Sequence, residues 1–312
     1  MNSTSSIKTS QWLVRRELWE HRSFWIVPLV VMSIILIANL VAVIKGSSLQ
    51  IAGPSFSIQH GFSDTLVPMI REVILAVMVA IFGVAAGIVS IFYLLDCLYS
   101  ERRDRSVLFW KSLPISDAQT VGSKLFTGIV VLPVIALIAA VITYIAIVLL
   151  LSLSFGFRDG YPVAGFWSPV FLLSSALKWL IYTMSQQIWF LPVYAWLLFC
   201  SAFTRKAPFL VATLVPLAII LAERLAYSRS FFMETVGNYF IGFFAAAENS
   251  APHLNIDSTD FGTGEASVDF GALGFLNYSQ LLSQPQFYVG IAVAAALIYA
   301  SIWWRRHNVE LG

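Results

Sequence analysis

The sequence predicts an all-α polytopic membrane protein with six transmembrane helices, and three observations lead there. Hydrophobic residues fill 58% of the 312 positions and charged residues only 12%, with a mean hydropathy of +0.79. Soluble domains carry about a quarter charged residues, so bilayer thickness sets element length in this chain. Apolar runs recur at the length that helical crossing of hydrocarbon requires, roughly 20 residues each. The basic residues sit beside those runs and form no long basic arm, which argues against a nucleic-acid surface.

The elements follow in chain order. Segment 9–23 places Trp12, Leu13, Arg16, Trp19 and Glu20 at helical spacing, with Arg15, His21 and Arg22 nearby. It reads as an interfacial amphipathic helix leading into the first span, either a brace on which a partner docks or a plain topogenic anchor. The spans are expected at 24–44, 73–95, 125–151, 188–203, 208–225 and 285–304, all helical because backbone groups in hydrocarbon must satisfy one another within the segment. The first is too long for a signal-peptide core and is expected to be retained, with no cleavable signal. Segment 171–187, which carries Lys178, Gln186 and Gln187, is expected along the outer face. The whole chain reads as a single transmembrane domain over 1–312.

Orientation follows from lysine and arginine placement. With both termini inside, the inner side holds Lys8, Arg15, Arg16, Arg22, Arg102, Arg103, Arg105, Lys111, Lys124, Arg205, Lys206, Arg305 and Arg306. The outer side holds Lys45, Arg71, Arg158, Lys178, Arg224 and Arg229, so thirteen face six and the N-in, C-in topology is favoured. Intramembrane charges, which mark ion or proton paths, are nearly missing; Arg71 with Glu72 and Glu223 with Arg224 read as interface charges. A transporter coupled to protons or sodium would show more. The outer connection, 227–283, is rich in aromatics (Phe231, Phe232, Tyr239, Phe240, Phe243, Phe244) and interrupted by Gly237 and Gly242, which predicts re-entrant or interfacial helices. Segment 250–271 then reads as a loop.

Several chemistries find no residues to carry them. The four histidines, His21, His60, His253 and His307, are scattered and none pairs at metal-ligand spacing. Cys97 and Cys200 are too few for a disulfide framework and read as small buried hydrophobes. Neither a hydrolase G-x-S-x-G nor a metalloprotease H-E-x-x-H occurs. No phosphate-binding G-x-x-x-x-G-K-[ST] occurs either, so if ATP is used another polypeptide binds it. An intramembrane lipid-modifying enzyme would need converging polar side chains at one depth, and the sequence assembles none.

The inner segment 96–124 carries the densest charge of the chain between two uncharged runs. Residues 96–112 continue the second span as a helix with Glu101, Arg102, Arg103, Asp104 and Arg105, and Val107, Leu108 and Trp110 form an apolar stripe. Pro114 is expected to end that helix, because it steers the preceding residue away from α geometry. Ser116-Asp117-Ala118-Gln119 matches a capping box that starts the next helix.

This block resembles the inner loop of ABC type-2 exporter permeases, through Leu95-Asp96, Tyr99, the run from Glu101 to Ser106, Phe109, Lys111 to Ser116 and Ser123-Lys124. Residues 13–25 resemble the N-terminal helix of that family, and Ala207-Pro208-Phe209 and the six-span layout match it too. The resemblance implies a bacterial-type inner-membrane permease that carries no catalysis and binds no cofactor itself. A separate ABC ATPase would hold ATP and magnesium, in an assembly of two permeases, as a homodimer, and two ATPases within membrane lipid. It implies that Glu101, Arg102, Arg103, Asp104 and Arg105 are docking charges, and that Phe109, Trp110, Leu113 and Pro114 form the apolar contact and hinge. Arg15, Arg16, Glu17 and Glu20 would support docking, and the second and fifth spans would line the interface with the second permease, with Phe82, Gly83, Gly87 and Ser90 on one helix face either allowing that close approach or serving ordinary packing within the chain. The resemblance leaves the exported substrate open; the apolar, aromatic interior leans toward an amphiphile, peptide or drug-like molecule, a bias that lipid-facing residues produce as well. The alternative is a subunit that transmits force to an outer partner through 227–283 without transport.

Overall fold

The computed structural model describes residues 3–45, 66–107, 112, 115–155, 166–248 and 282–307. Among them there is helix and no strand. The helices are α1 (Ser3–Glu20), α2 (Ser23–Ile44), α3 (Leu66–Arg103), α4 (Asp117–Phe126), a π-helical turn (Thr127–Val131) running into α5 (Leu132–Phe155), α6 (Pro169–Trp189), α7 (Leu191–Phe203), α8 (Pro208–Tyr227), α9 (Phe231–Glu248) and α10 (Pro285–His307). Five continuous helical stretches are long and apolar enough to cross a membrane, and α6 with α7 makes a sixth if that bent pair counts as one crossing. Leu217, Leu221, Ile34 and Ile37 point outward, which suits lipid and not water.

The ends of these helices have local causes. Ser116 caps α4: its hydroxyl accepts from the Gln119 N–H at 3.2 Å, and the Gln119 side chain accepts from the Ser116 N–H at 3.1 Å. This is the reciprocal box the sequence predicts. The π turn sits just before Pro133, whose missing N–H cannot serve the preceding turn. The Ser90 hydroxyl of α3 donates to the Gly128 carbonyl there at 3.0 Å. A Cβ on Gly128 would approach Leu94 to 3.1 Å, so glycine lets α3 press against the turn.

Four expectations are corrected. The helix expected over 96–112 is interrupted after Arg103, where Arg105 turns left-handed at φ 57°; Ser106, Val107 and Ser112 are helical again, with Val107 buried. The break therefore comes before Pro114, and residues 108–111 and 113–114, with Phe109, Trp110, Leu113 and Pro114, lie outside the described residues. The fourth crossing is not 188–203 alone. Together α6 and α7 make about nine turns, and they bend by 55° at Phe190, where Pro192 withholds an N–H from the preceding turn. At 13 residues α7 spans about 20 Å, short of the hydrocarbon layer, so a crossing needs α6 as well. Third, Gly237 and Gly242 do not interrupt α9, which runs through both. Fourth, Phe82 and Ser90 are buried within the chain, while Gly83 and Gly87 have open space where a Cβ would stand, so the four do not form one outward face. The loop expected at 250–271 lies outside the described residues.

Packing gathers the bundle at both ends. Near α1, Phe24, Tyr93, Leu94, Cys97, Val121 and Leu198 form one buried cluster, with both cysteines free. At the other end Ile74, Leu75, Tyr144, Val148 and Phe171 tie α3 and α5 to α6. Trp189, Phe190, Phe243 and Phe287 join the α6–α7 bend to α9 and the start of α10.

Candidate functional site

The end of the bundle beside α1 holds a buried chain of alternating charges. Glu17 of α1, Glu101 of α3, Lys124 of α4 and Arg305 of α10 have side chains 2%, 4%, 2% and 7% exposed. Lys124 stands between the two glutamates, 2.9 Å from Glu17 and 3.2 Å from Glu101. Arg305 extends the chain with its fork: one Nη lies 2.8 Å from Glu101 and Nε lies 2.9 Å from Asp117. Arg16 approaches Glu101 at 3.4 Å from the side and Glu20 at 3.0 Å. The Tyr93 hydroxyl donates to the second Glu17 oxygen at 2.9 Å. Every carboxylate in the sequence Glu17, Glu101, Asp117 thus faces a cation drawn from another helix.

Why these residues converge is a matter of helix geometry. Leu13 and Glu17 are one turn apart on α1, so the leucine that enters the core carries the glutamate in with it. The opposite face keeps Trp12 and Trp19 exposed, with the Arg15 guanidinium 4.7 Å from the Trp19 ring. Lys124 sits two turns into α4 on the face of Val121, and Arg305 on the α10 face of Ser301. A buried charge is tolerated only when paired and hydrogen-bonded, and here each has at least one partner within 3.2 Å.

A second knot lies beside it. Arg102 donates to the Ser201 and Thr204 carbonyls at the end of α7, where a cation meets the negative end of the helix. The Ser201 hydroxyl accepts from the Leu98 and Tyr99 N–H groups at 3.1 Å each. Together the two knots fasten α1, α3, α4, α7 and α10 at one level.

The residues singled out from sequence therefore divide. Glu17, Glu101 and Arg102 are consumed inside the chain, and Arg16 is partly so. Arg15, Glu20, Arg103, Asp104 and Arg105 present charge at the surface, with Arg103 and Asp104 paired to each other at 3.0 Å. Lys124, Arg305 and Asp117 belong to the network although sequence reasoning gave them no such role. The sole signal of Lys124 and Arg305 was position, a cation one residue before or just after an uncharged run, which topology alone explains, and Asp117 read only as part of the capping box.

His21 adds a titratable group at the joint between α1 and α2. Its ring lies edge-on to Tyr93 at 4.9 Å and its Nε2 lies 3.6 Å from Glu17. Burial holds its pKa below the ordinary 6.5; Glu17, Glu20 and Asp96 oppose that shift, and Lys124 reinforces it. The folded protein then binds fewer protons at His21 than the unfolded chain does, so stability is lost as pH falls through 6.5 toward the lowered folded value. Thermal midpoints of the detergent-solubilised chain at pH 7.5 and 5.5 should differ less in His21→Gln than in the parent. An equal difference would show that His21 does not carry this dependence.

Comparison with family models, with curated proteins and with solved structures gives no match.

Proposed function

We propose that the chain is the membrane subunit of an ATP-driven ABC exporter, with the network end of the bundle at the cytoplasmic face and ATP hydrolysis in a separate subunit. The observation that carries this reading is the buried ion network, because it makes the inner ends of α1, α3, α4 and α10 move as one body. A push delivered to the α3–α4 connection is then shared by helices that continue across the membrane, and a flexible connection would dissipate it. The exposed charges Arg15, Glu20, Arg103, Asp104 and Arg105 lie on the outside of that body and are the docking surface of the proposal. Phe109, Trp110, Leu113 and Pro114 remain its apolar contact, and the partner assembly remains two permeases with two ATPases. Glu17 and Glu101 act in it as internal fasteners, not as contacts.

The test isolates docking from folding. Purification of the tagged chain from its native membrane should bring an ABC-type ATPase with it. Arg103→Glu with Arg105→Glu should remove that companion while thermal midpoint and membrane insertion stay unchanged, since neither residue holds the network. Arg102 is left intact because it fastens α7. No ATPase with the parent chain, or full retention by the double variant, would refute the assignment.

A further inference from the structure

At the end of the bundle away from the ion network, the α8–α9 turn forms an open cleft of about 480 Å³ lined by Arg224, Ser228, Arg229, Ser230, Met233 and Glu234. We propose that this cleft binds the anionic headgroup of a phospholipid, with the acyl chains lying along α8. The inference rests on the chain's membrane-spanning character and is independent of any ATPase.

Charge comes first. Among the described residues neither Arg224 nor Arg229 has an ion-pair partner, although Glu223 adjoins one of them in sequence. Glu223 is turned the other way: its carboxylate accepts from the Ser230 hydroxyl at 3.2 Å and from the Phe232 N–H at 2.8 Å. The Ser230 hydroxyl in turn accepts from the Met233 N–H at 3.2 Å. The start of α9 is thereby capped by the protein's own groups, and the cleft's positive charge comes from two guanidinium groups against the single carboxylate of Glu234. Guanidinium forks match phosphate oxygens in bidentate geometry.

Depth comes second. With 20 residues α8 is about 30 Å long, the thickness of the hydrocarbon layer, so Arg224 in its last turn and Arg229 just past it fall at headgroup level. Surroundings come third, and they select lipid over a soluble anion. Leu217, Leu221 and Leu225 share the α8 face that carries Arg224 and Ser228, and the three leucines are 57%, 58% and 81% exposed. Tyr227 and Phe231 are also exposed beside the cleft, the aromatic placement found at membrane interfaces. A ligand with a phosphate at one end and alkyl chains at the other meets both the cleft and the stripe.

Native mass spectrometry of the full chain in detergent, titrated with dioleoylphosphatidylglycerol or dioleoylphosphatidylcholine, tests this. The parent chain should hold phosphatidylglycerol about tenfold more tightly than Arg224→Gln/Arg229→Gln, as expected for losing a charged hydrogen-bond pair. Phosphatidylcholine should bind both alike, and Arg224→Lys/Arg229→Lys should keep most of the preference. Equal phosphatidylglycerol binding by parent and double variant would overturn the proposal. So would displacement of the lipid by millimolar inorganic phosphate, which would make a soluble anion the ligand. If the double variant loses helical circular dichroism, Arg229→Gln, outside both helices, takes its place: weakened phosphatidylglycerol binding supports the site, and unchanged binding sinks it.

Discussion

Lys124→Met should destabilise the solubilised chain by about 3–5 kcal/mol, the cost of leaving buried charge unpaired. The expectation follows from what remains. Lys124 lies 2.9 Å from Glu17 and 3.2 Å from Glu101, and all three side chains are at most 4% exposed. Without the ammonium, Glu17 keeps the Tyr93 hydroxyl and Glu101 keeps Arg305, but two carboxylates that shared a cation now repel across a site that water barely reaches. Methionine fills the volume, so a cavity does not explain the loss. The check is a double-variant cycle. Glu17→Gln removes one of the two stranded charges, so Lys124→Met in that background should cost less than half of what it costs alone. If the losses simply add, the lysine acts through packing and the ion pair carries no coupling. Thermal midpoints from tryptophan fluorescence provide the measurement.

The spans were legible because hydrocarbon imposes a length that no soluble core imposes. Runs such as 24–44 and 208–225 coincide with α2 and α8 to within a few residues. The Ser116–Gln119 box was legible too, since its two hydrogen bonds are made within four residues. The bend at Phe190 had a visible signal in Pro192, but apolar content on both sides masked it and set the span too short on the α6 side. The end of α3 at Arg103 had none, because a left-handed arginine is favoured by nothing in its own side chain.

The ion network was illegible for a different reason. Lys124 and Glu17 are separated by 107 residues, and Arg305 and Glu101 by 204. Each cation, read singly, is an ordinary flank of an apolar run, and each glutamate on a charged helix is an ordinary solvated residue. Only packing decides that Leu13 must be buried and that Glu17, one turn on, goes in with it. The same logic separates surface charges from internal ones within a single stretch: Glu101 points to the bundle, while Arg103, about 200° further round the helix, and Asp104, just past its end, are exposed.

Arg305→Met should be the other large loss, again about 3–5 kcal/mol, and its variants discriminate the reason. The guanidinium fork reaches two acids on different helices, Glu101 on α3 at 2.8 Å and Asp117 on α4 at 2.9 Å, from a side chain 7% exposed. It is thereby the clamp between α10 and the two helices that flank the α3–α4 connection. A lysine at 305 carries the same charge but offers a single ammonium, and it cannot hold both acids in the fork's geometry. Arg305→Lys should therefore recover part of the stability and little of the clamp. Trypsin reads the clamp directly, since Arg306 follows at an exposed position and is retained in both variants. Cleavage after Arg306 should quicken in Arg305→Met and remain quick in Arg305→Lys. If the lysine variant instead protects Arg306 as well as the parent does, net charge holds α10 in place and the two-acid fork is irrelevant. In that event the helix ends around the network would not be fastened as one body by Arg305, and the mechanical argument for a push on α3–α4 reaching α10 would fail with it.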